Sequence, residues 1–185
     1  MTKALILNKN NPINVELIKL LKSDAQIQIQ TFDGNPQSSE DYQPYLKNID
    51  WIISGFGPMD VDLDFEALFE AIDEIGPKIS HFVVLSYAGI DEELQNPPEF
   101  PKVDDRNEFL KEQRYAIKVV DESEVPYTVI RLKKVISGPK EKLVTFPEGK
   151  EMPSGTVTTG TVAEYVFDIL KNNQALGESI GVINK

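Results

Sequence analysis

The chain contains no cysteine and a single histidine. Disulfides and thiolate metal sites are therefore excluded, and one imidazole leaves little from which to build a metal centre. Positive charge is also scarce: 19 lysines and arginines face 30 aspartates and glutamates, for a net charge of −11. Such a surface repels phosphate backbones, so no nucleic-acid partner is expected. The one basic phrase, "RLKKV" with Arg131, Lys133 and Lys134, is too small to reverse that. No apolar run is long enough to cross a bilayer, and the first residues lack a signal-peptide pattern. The expected setting is the cytoplasm, with no membrane partner.

What is present is a regular alternation. "KALIL" (3–7), "WIISGFG" (51–57), "HFVVLS" (81–86), "PYTVIRL" (126–132) and "ESIGVIN" (178–184) read as strands, several of them apolar throughout. "QIQIQTF" (26–32) alternates apolar and polar residues and suits a sheet edge. Between these lie helical patterns. The first has Asn11 as N-cap, Pro12 in the first turn, and Ile13, Leu17, Leu20 and Leu21 on one face. Others cover 65–75, 106–123 and 162–172. "DGNPQSS" (33–39) and "NPPEFP" (96–101) read as loop, and 138–160 as irregular apart from a short strand at "KLVTF". One domain over residues 1–185 is expected. Its architecture is a three-layer α/β sandwich, doubly wound around a mainly parallel sheet.

The phrases "DWIISGFG", "HFVVLSYAGI", "SEVPYTVIR" and "TVAEYVFDIL", in that order after the opening strand–turn–helix, resemble the NAD(P)H-binding, NmrA-like branch of the atypical short-chain dehydrogenase/reductase superfamily. The resemblance spans nearly the whole chain. It implies a Rossmann-type fold and a nicotinamide dinucleotide, NAD or NADP, in a crevice at the carboxyl ends of the strands. Relative to that pattern, only residues 34–49 separate the second strand from "DWIIS". The third strand and its flanking segment are therefore expected to be missing, a loss of one strand–helix unit.

The resemblance also places the site, and there the chain departs from the pattern. G-x-x-G-x-x-G falls on Asn8, Asn11 and Asn14. Glycine in this loop permits a tight turn, close approach of the pyrophosphate and close packing of helix on strand. Asparagine tolerates the left-handed conformation, so the turn can survive, but its side chain takes up space the diphosphate needs. Asp33, after the second strand, is placed to meet an adenosine ribose and would favour NAD. Gly55 and Gly57, at a strand end, are further cofactor-binding candidates. For catalysis the superfamily uses a serine with Y-x-x-x-K. Ser86 stands at the expected strand end, but Tyr115 and Lys118 are three apart rather than four, and Gln113 falls where some relatives carry tyrosine. Tyr87 is a second candidate proton donor, although neighbouring strand residues point to opposite faces.

Remaining features read as structural. In "MDVDLDF", Asp60, Asp62 and Asp64 lack the glycine and glutamate of a calcium loop, since Phe65 and Ala71 stand in their places. His81 begins a strand with no ligand partner nearby, and no metal site is expected. The segment 92–109 lies where loops surround the crevice, as a lid or a connection. Two functions follow from the resemblance: a small NAD(P)-dependent oxidoreductase or epimerase-like protein, or a non-catalytic regulatory or ligand-binding module that has lost tight cofactor binding. The partner in either case is a dinucleotide or another small molecule.

Overall fold

A computed structural model describes residues 1–94, 100 and 103–185. The rest of "NPPEFP" and part of the 92–109 segment lie outside the described residues. The chain runs β1 (Thr2–Leu7), α1 (Pro12–Ser23), β2 (Ile27–Thr31), α2 (Ser39–Leu46), β3 (Trp51–Ser54), α3 (Val61–Ile75) and β4 (His81–Tyr87). It continues with α4 (Arg106–Glu122), β5 (Tyr127–Leu132), β6 (Lys134–Ile136), β7 (Leu143–Pro147), β8 (Thr156–Thr158), α5 (Thr159–Asn172) and β9 (Glu178–Asn184).

Seven strands form one sheet in the order β2-β1-β3-β4-β5-β9-β7. All neighbours are parallel except β7, which runs antiparallel to β9. β6 and β8 make a separate parallel pair. The period of two sorts each strand's residues between two cores. Leu5 and Leu7 of β1 face α2, α3 and α4 through Leu46, Phe65, Leu68 and Val120. Ala4 and Ile6 face α1 and α5 through Leu17, Leu21, Val162 and Val166. Burial on both faces explains why these strands are continuous apolar runs. β2 lies at an edge, and none of its residues is fully buried, in keeping with its alternating sequence.

Three local expectations change. A helix to which no pattern pointed, α2, follows the 33–39 loop; it buries Tyr42 and Leu46 and carries Pro44 inside it. α3 begins at Val61 instead of 65. The 138–160 stretch holds β8 as well as β7.

Arg131 does not belong to a basic surface: its side chain is fully buried. It donates to Glu93 Oε1 at 2.9 Å and to the carbonyls of Phe146 at 3.1 Å and Ser179 at 3.4 Å. Burial pushes the Glu93 carboxyl up, but backbone hydrogen bonds and the guanidinium outweigh it and hold the group below the usual range. This pair joins the segment after β4 to β7 and β9.

His81 and Asp64 are also buried. His81 Nε2 lies 2.8 Å from Thr128 Oγ1, Nδ1 has no partner, and burial lowers the ring to about 4. In the first turn of α3, burial and then the neighbouring charges of Asp60 and Asp62 push the Asp64 carboxyl up to about 7. Asp60 takes a left-handed conformation, and its N–H donates to Glu112 Oε2 at 2.8 Å. Among the described residues no group of acidic or histidine side chains is arranged to hold a metal ion.

Candidate functional site

The loop between β1 and α1 is held by its three asparagines. Asn8 takes the left-handed conformation, with φ of 63°, and turns the chain after β1. Its Nδ2 donates to the Gly55 carbonyl at 2.8 Å. Asn11 Nδ2 reaches the same carbonyl at 3.3 Å. Asn14 is fully buried, and its Nδ2 donates to the carbonyls of Leu7 and Asn8, each at 3.0 Å. The carboxamides thus stitch the loop to the end of β3. A Cβ on Gly55 would lie 2.7–2.9 Å from atoms of Asn14 and Asn11, so glycine there is what lets those two side chains pack over it.

This arrangement alters the amino end of α1. Asn11 Oδ1 accepts the Ile13 N–H at 2.9 Å, and Pro12 has no N–H to give. The donors that a helix start would turn toward an anion are therefore partly spent. Just after β2, Asp33 forms an ion pair with Lys9, both exposed to solvent.

Beside this loop a cleft of about 760 Å3 opens at the carboxyl ends of the central strands. One side is the start of α1, from Asn11 to Ile13. The floor carries Leu85, Ser86 and Tyr87 from β4, and the far wall is the 132–137 segment after β5. Phe56, Pro58, Phe100 and Thr159 complete it. The lining is mostly apolar, with Lys133 and Lys134 on the far wall.

Ser86 is buried in this cleft, and its hydroxyl donates to Gln113 Oε1 at 3.3 Å. Gln113 Nε2 in turn donates to the Pro58 carbonyl at 2.9 Å. Gln113 thus sets a carboxamide against the serine, a group with no proton to exchange near neutral pH. Tyr115 and Lys118 do not join Ser86. They line a separate shallow groove with Asp62, Glu108 and Glu112 on the outer side of α4. Tyr115 is exposed, with its phenol raised by Glu66 beside it, and Lys118 pairs with Glu122 at 3.6 Å. Tyr87 does line the cleft with Ser86. It is the last residue of β4 and is still paired with Leu132, so at the strand end the cleft is lined from both faces of the sheet. Its ring packs edge-on against Phe100 and Phe109, and burial raises its hydroxyl above the usual phenol range. Gly57 has φ of 109°; a side chain would have ordinary room beside Tyr87, so its backbone conformation is what calls for glycine.

The sequence profile described as NAD(P)H-binding matches residues 14–173. The chain belongs to this NAD(P)H-binding family. The match begins at Asn14, past Asn8 and Asn11. No curated protein matches the chain. Among solved structures, it is similar to a short-chain dehydrogenase/reductase from Veillonella parvula in complex with NADP. The TM-score is 0.81 at 19% identity, covering 99% of this chain and 94% of that one. A Rossmann-fold NAD(P)-binding family protein from Shigella flexneri gives 0.82 at 18% identity, covering 100% and 94%. An anaerobillin reductase from Escherichia coli O157:H7 gives 0.74 at 15% identity, covering 99% and 97%. At these identities the likeness concerns the fold.

For a member of the NAD(P)H-binding family, the test is whether a dinucleotide fits these residues. The cleft is large enough for the nicotinamide half, but Gly55 is buried beneath Asn11 and Asn14, with its carbonyl taken by Asn8 and Asn11. The diphosphate seat is weakened, because Asn11 caps Ile13 in its place. The residues fit the cofactor with a reduced hold on its phosphates. The sequence pointed to Asn8, Asn11, Asn14, Gly55 and Ser86, which meet around the cleft or its loop. It did not point to Thr159 or the 132–137 wall, which carry no motif.

Proposed function

We propose that this chain is an NAD(P)-dependent oxidoreductase of the atypical, NmrA-like short-chain dehydrogenase class, working in the cytoplasm on a small molecule. The observation that carries this reading is the cleft at the strands' carboxyl ends, with Ser86 and Tyr87 on its floor and the start of α1 along its side. The bound dinucleotide would supply the hydride. Lys9 and Asp33 would meet the adenosine end. The ion pair offsets the negative charge of Asp33 and sets an ammonium beside it, so a 2′-phosphate is tolerated there as well as a free ribose hydroxyl. Asn8, Asn11, Asn14, Gly55 and Gly57 would border the dinucleotide. Ser86, with its proton committed to Gln113, orients the substrate as an acceptor. Tyr87, kept protonated by burial, holds the proton at its hydroxyl.

A non-catalytic ligand-binding module is the second reading. Two observations favour it: Asn11 Oδ1 occupies the Ile13 N–H, and Gln113 stands against Ser86. Titration with NADH and NADPH, followed by fluorescence or calorimetry, separates the two. Saturable binding at micromolar cofactor supports the oxidoreductase, and no binding at millimolar cofactor overturns it.

A further inference from the structure

The opposite end of the sheet carries a second concavity, of about 730 Å3. It lies between the start of β1, the turn from α2 into β3, and the connection from α3 to β4. Each of these contributes a lysine: Lys3, Lys47 and Lys78. Asp50 is the one acidic residue lining it among the described residues. Its Oδ2 already accepts the backbone N–H of Lys3 at 2.8 Å. None of the three lysines forms an ion pair with a carboxylate among the described residues. The molecule as a whole carries a net charge of −11.

We propose that this bowl binds a small polyanion through Lys3, Lys47 and Lys78. Three ammonium groups without a carboxylate partner, around a concavity lined by one aspartate, leave a local excess of positive charge that the rest of the surface opposes. Lysines are ordinarily drawn to helix carboxyl ends, and α2 and α3 both end here. That attraction explains one cation per helix end. It does not explain Lys3, which comes from a strand. The helix-end demand is also partly met from within, since the Gly76 N–H returns to the Ile72 carbonyl at 2.8 Å and the Ile49 N–H to Leu46 at 3.4 Å. The bowl is too large for one small ion, so the ligand class is a polyphosphate-bearing or polycarboxylate molecule. The site lies at the amino ends of the strands and shares no lining residue with the cleft. Its occupancy therefore does not depend on the function proposed for that cleft.

The experiment is a titration of the whole protein with tripolyphosphate and, separately, with citrate, followed by backbone amide chemical shifts. Saturating shifts at residues 47–50 and 76–78 are expected, with a dissociation constant on the order of a millimolar or tighter. The double substitution Lys47→Ala, Lys78→Ala should weaken binding about tenfold, because each exposed charge contributes little alone. The pair Lys133→Ala, Lys134→Ala, on the cleft wall, should leave it unchanged. A response to tripolyphosphate alone assigns phosphates, to citrate alone polycarboxylates, and to both a general polyanion site. Shifts that rise without saturating, that persist in the Lys47 and Lys78 variant, or that map only to the cleft would overturn the proposal.

Discussion

The two ends of the sheet bury polar groups in different ways. At the amino end, His81 is enclosed with one nitrogen bonded to Thr128 and the other without a partner. It lines neither the cleft nor the bowl. At the carboxyl end, the Nδ2 groups of Asn8, Asn11 and Asn14 are spent on carbonyls of the chain and the buried Asn14 Oδ1 has no partner, while Ser86 and Tyr87 lie on the floor of a cleft. There the same chemistry that fixes the loop competes with ligand binding. A buried polar group therefore indicates function only when its surroundings also leave room for a second molecule.

The sharpest way to test this contrast is Tyr87→Phe. Once a substrate is in hand, turnover should fall by about a hundredfold or more, the loss typical of a missing proton donor. Dinucleotide affinity and thermal stability should hardly move, because the ring packing against Phe100 and Phe109 is kept.

Next comes pH. His81 is held at about 4, below its unfolded value near 6.5. The stability of its neutral burial is complete above pH 6.5 and is lost as pH falls toward 4, by up to about 3 kcal/mol. Asp64 has the opposite sign. Its folded value of about 7 lies above the unfolded 3.8, so its protonated burial helps below pH 3.8 and is lost as pH rises toward 7. The two oppose each other over the same range. Urea unfolding of Asp64→Asn should show higher stability than the parent at pH 7, no gain near pH 4, and an unmasked decline on acidification.

A smaller effect is expected from Asn14→Ala. It removes one hydrogen bond from each of the Leu7 and Asn8 carbonyls, which keep the Gly55 and Asn11 N–H groups, and should cost about 2 kcal/mol in chemical denaturation, about one for each bond lost. Asn11→Gly should cost only a few tenths, since glycine is a tolerated N-cap, yet free the Ile13 N–H. Dinucleotide affinity should then rise about tenfold by calorimetry, the scale of one charge-assisted hydrogen bond. Unchanged affinity would shift the obstacle from Asn11 to the shortened β2–β3 connection.

Much of the fold was legible in the sequence. β1, β3 and β4 are apolar on both faces because both faces are covered, and that leaves a continuous signal. α2 was hidden because only Tyr42 and Leu46 of its eight residues are buried and a proline lies inside it. The site was half legible. Spacing located the asparagine loop and Ser86, since both lie at strand ends. It could not show that Gln113 meets Ser86 across 27 residues, because the rotation of α4 over the sheet decides which residues face inward. The same rotation turns Tyr115 and Lys118 outward.

Arg131 has a consequence of its own. It lies directly before Leu132, where the cleft wall begins, and is clamped to Glu93 and to two strand carbonyls. The outline that a guest molecule meets is thus underwritten by a sealed electrostatic knot behind it, one that no guest touches. Selectivity in this protein can drift through changes at that knot while every residue in contact with the guest stays the same.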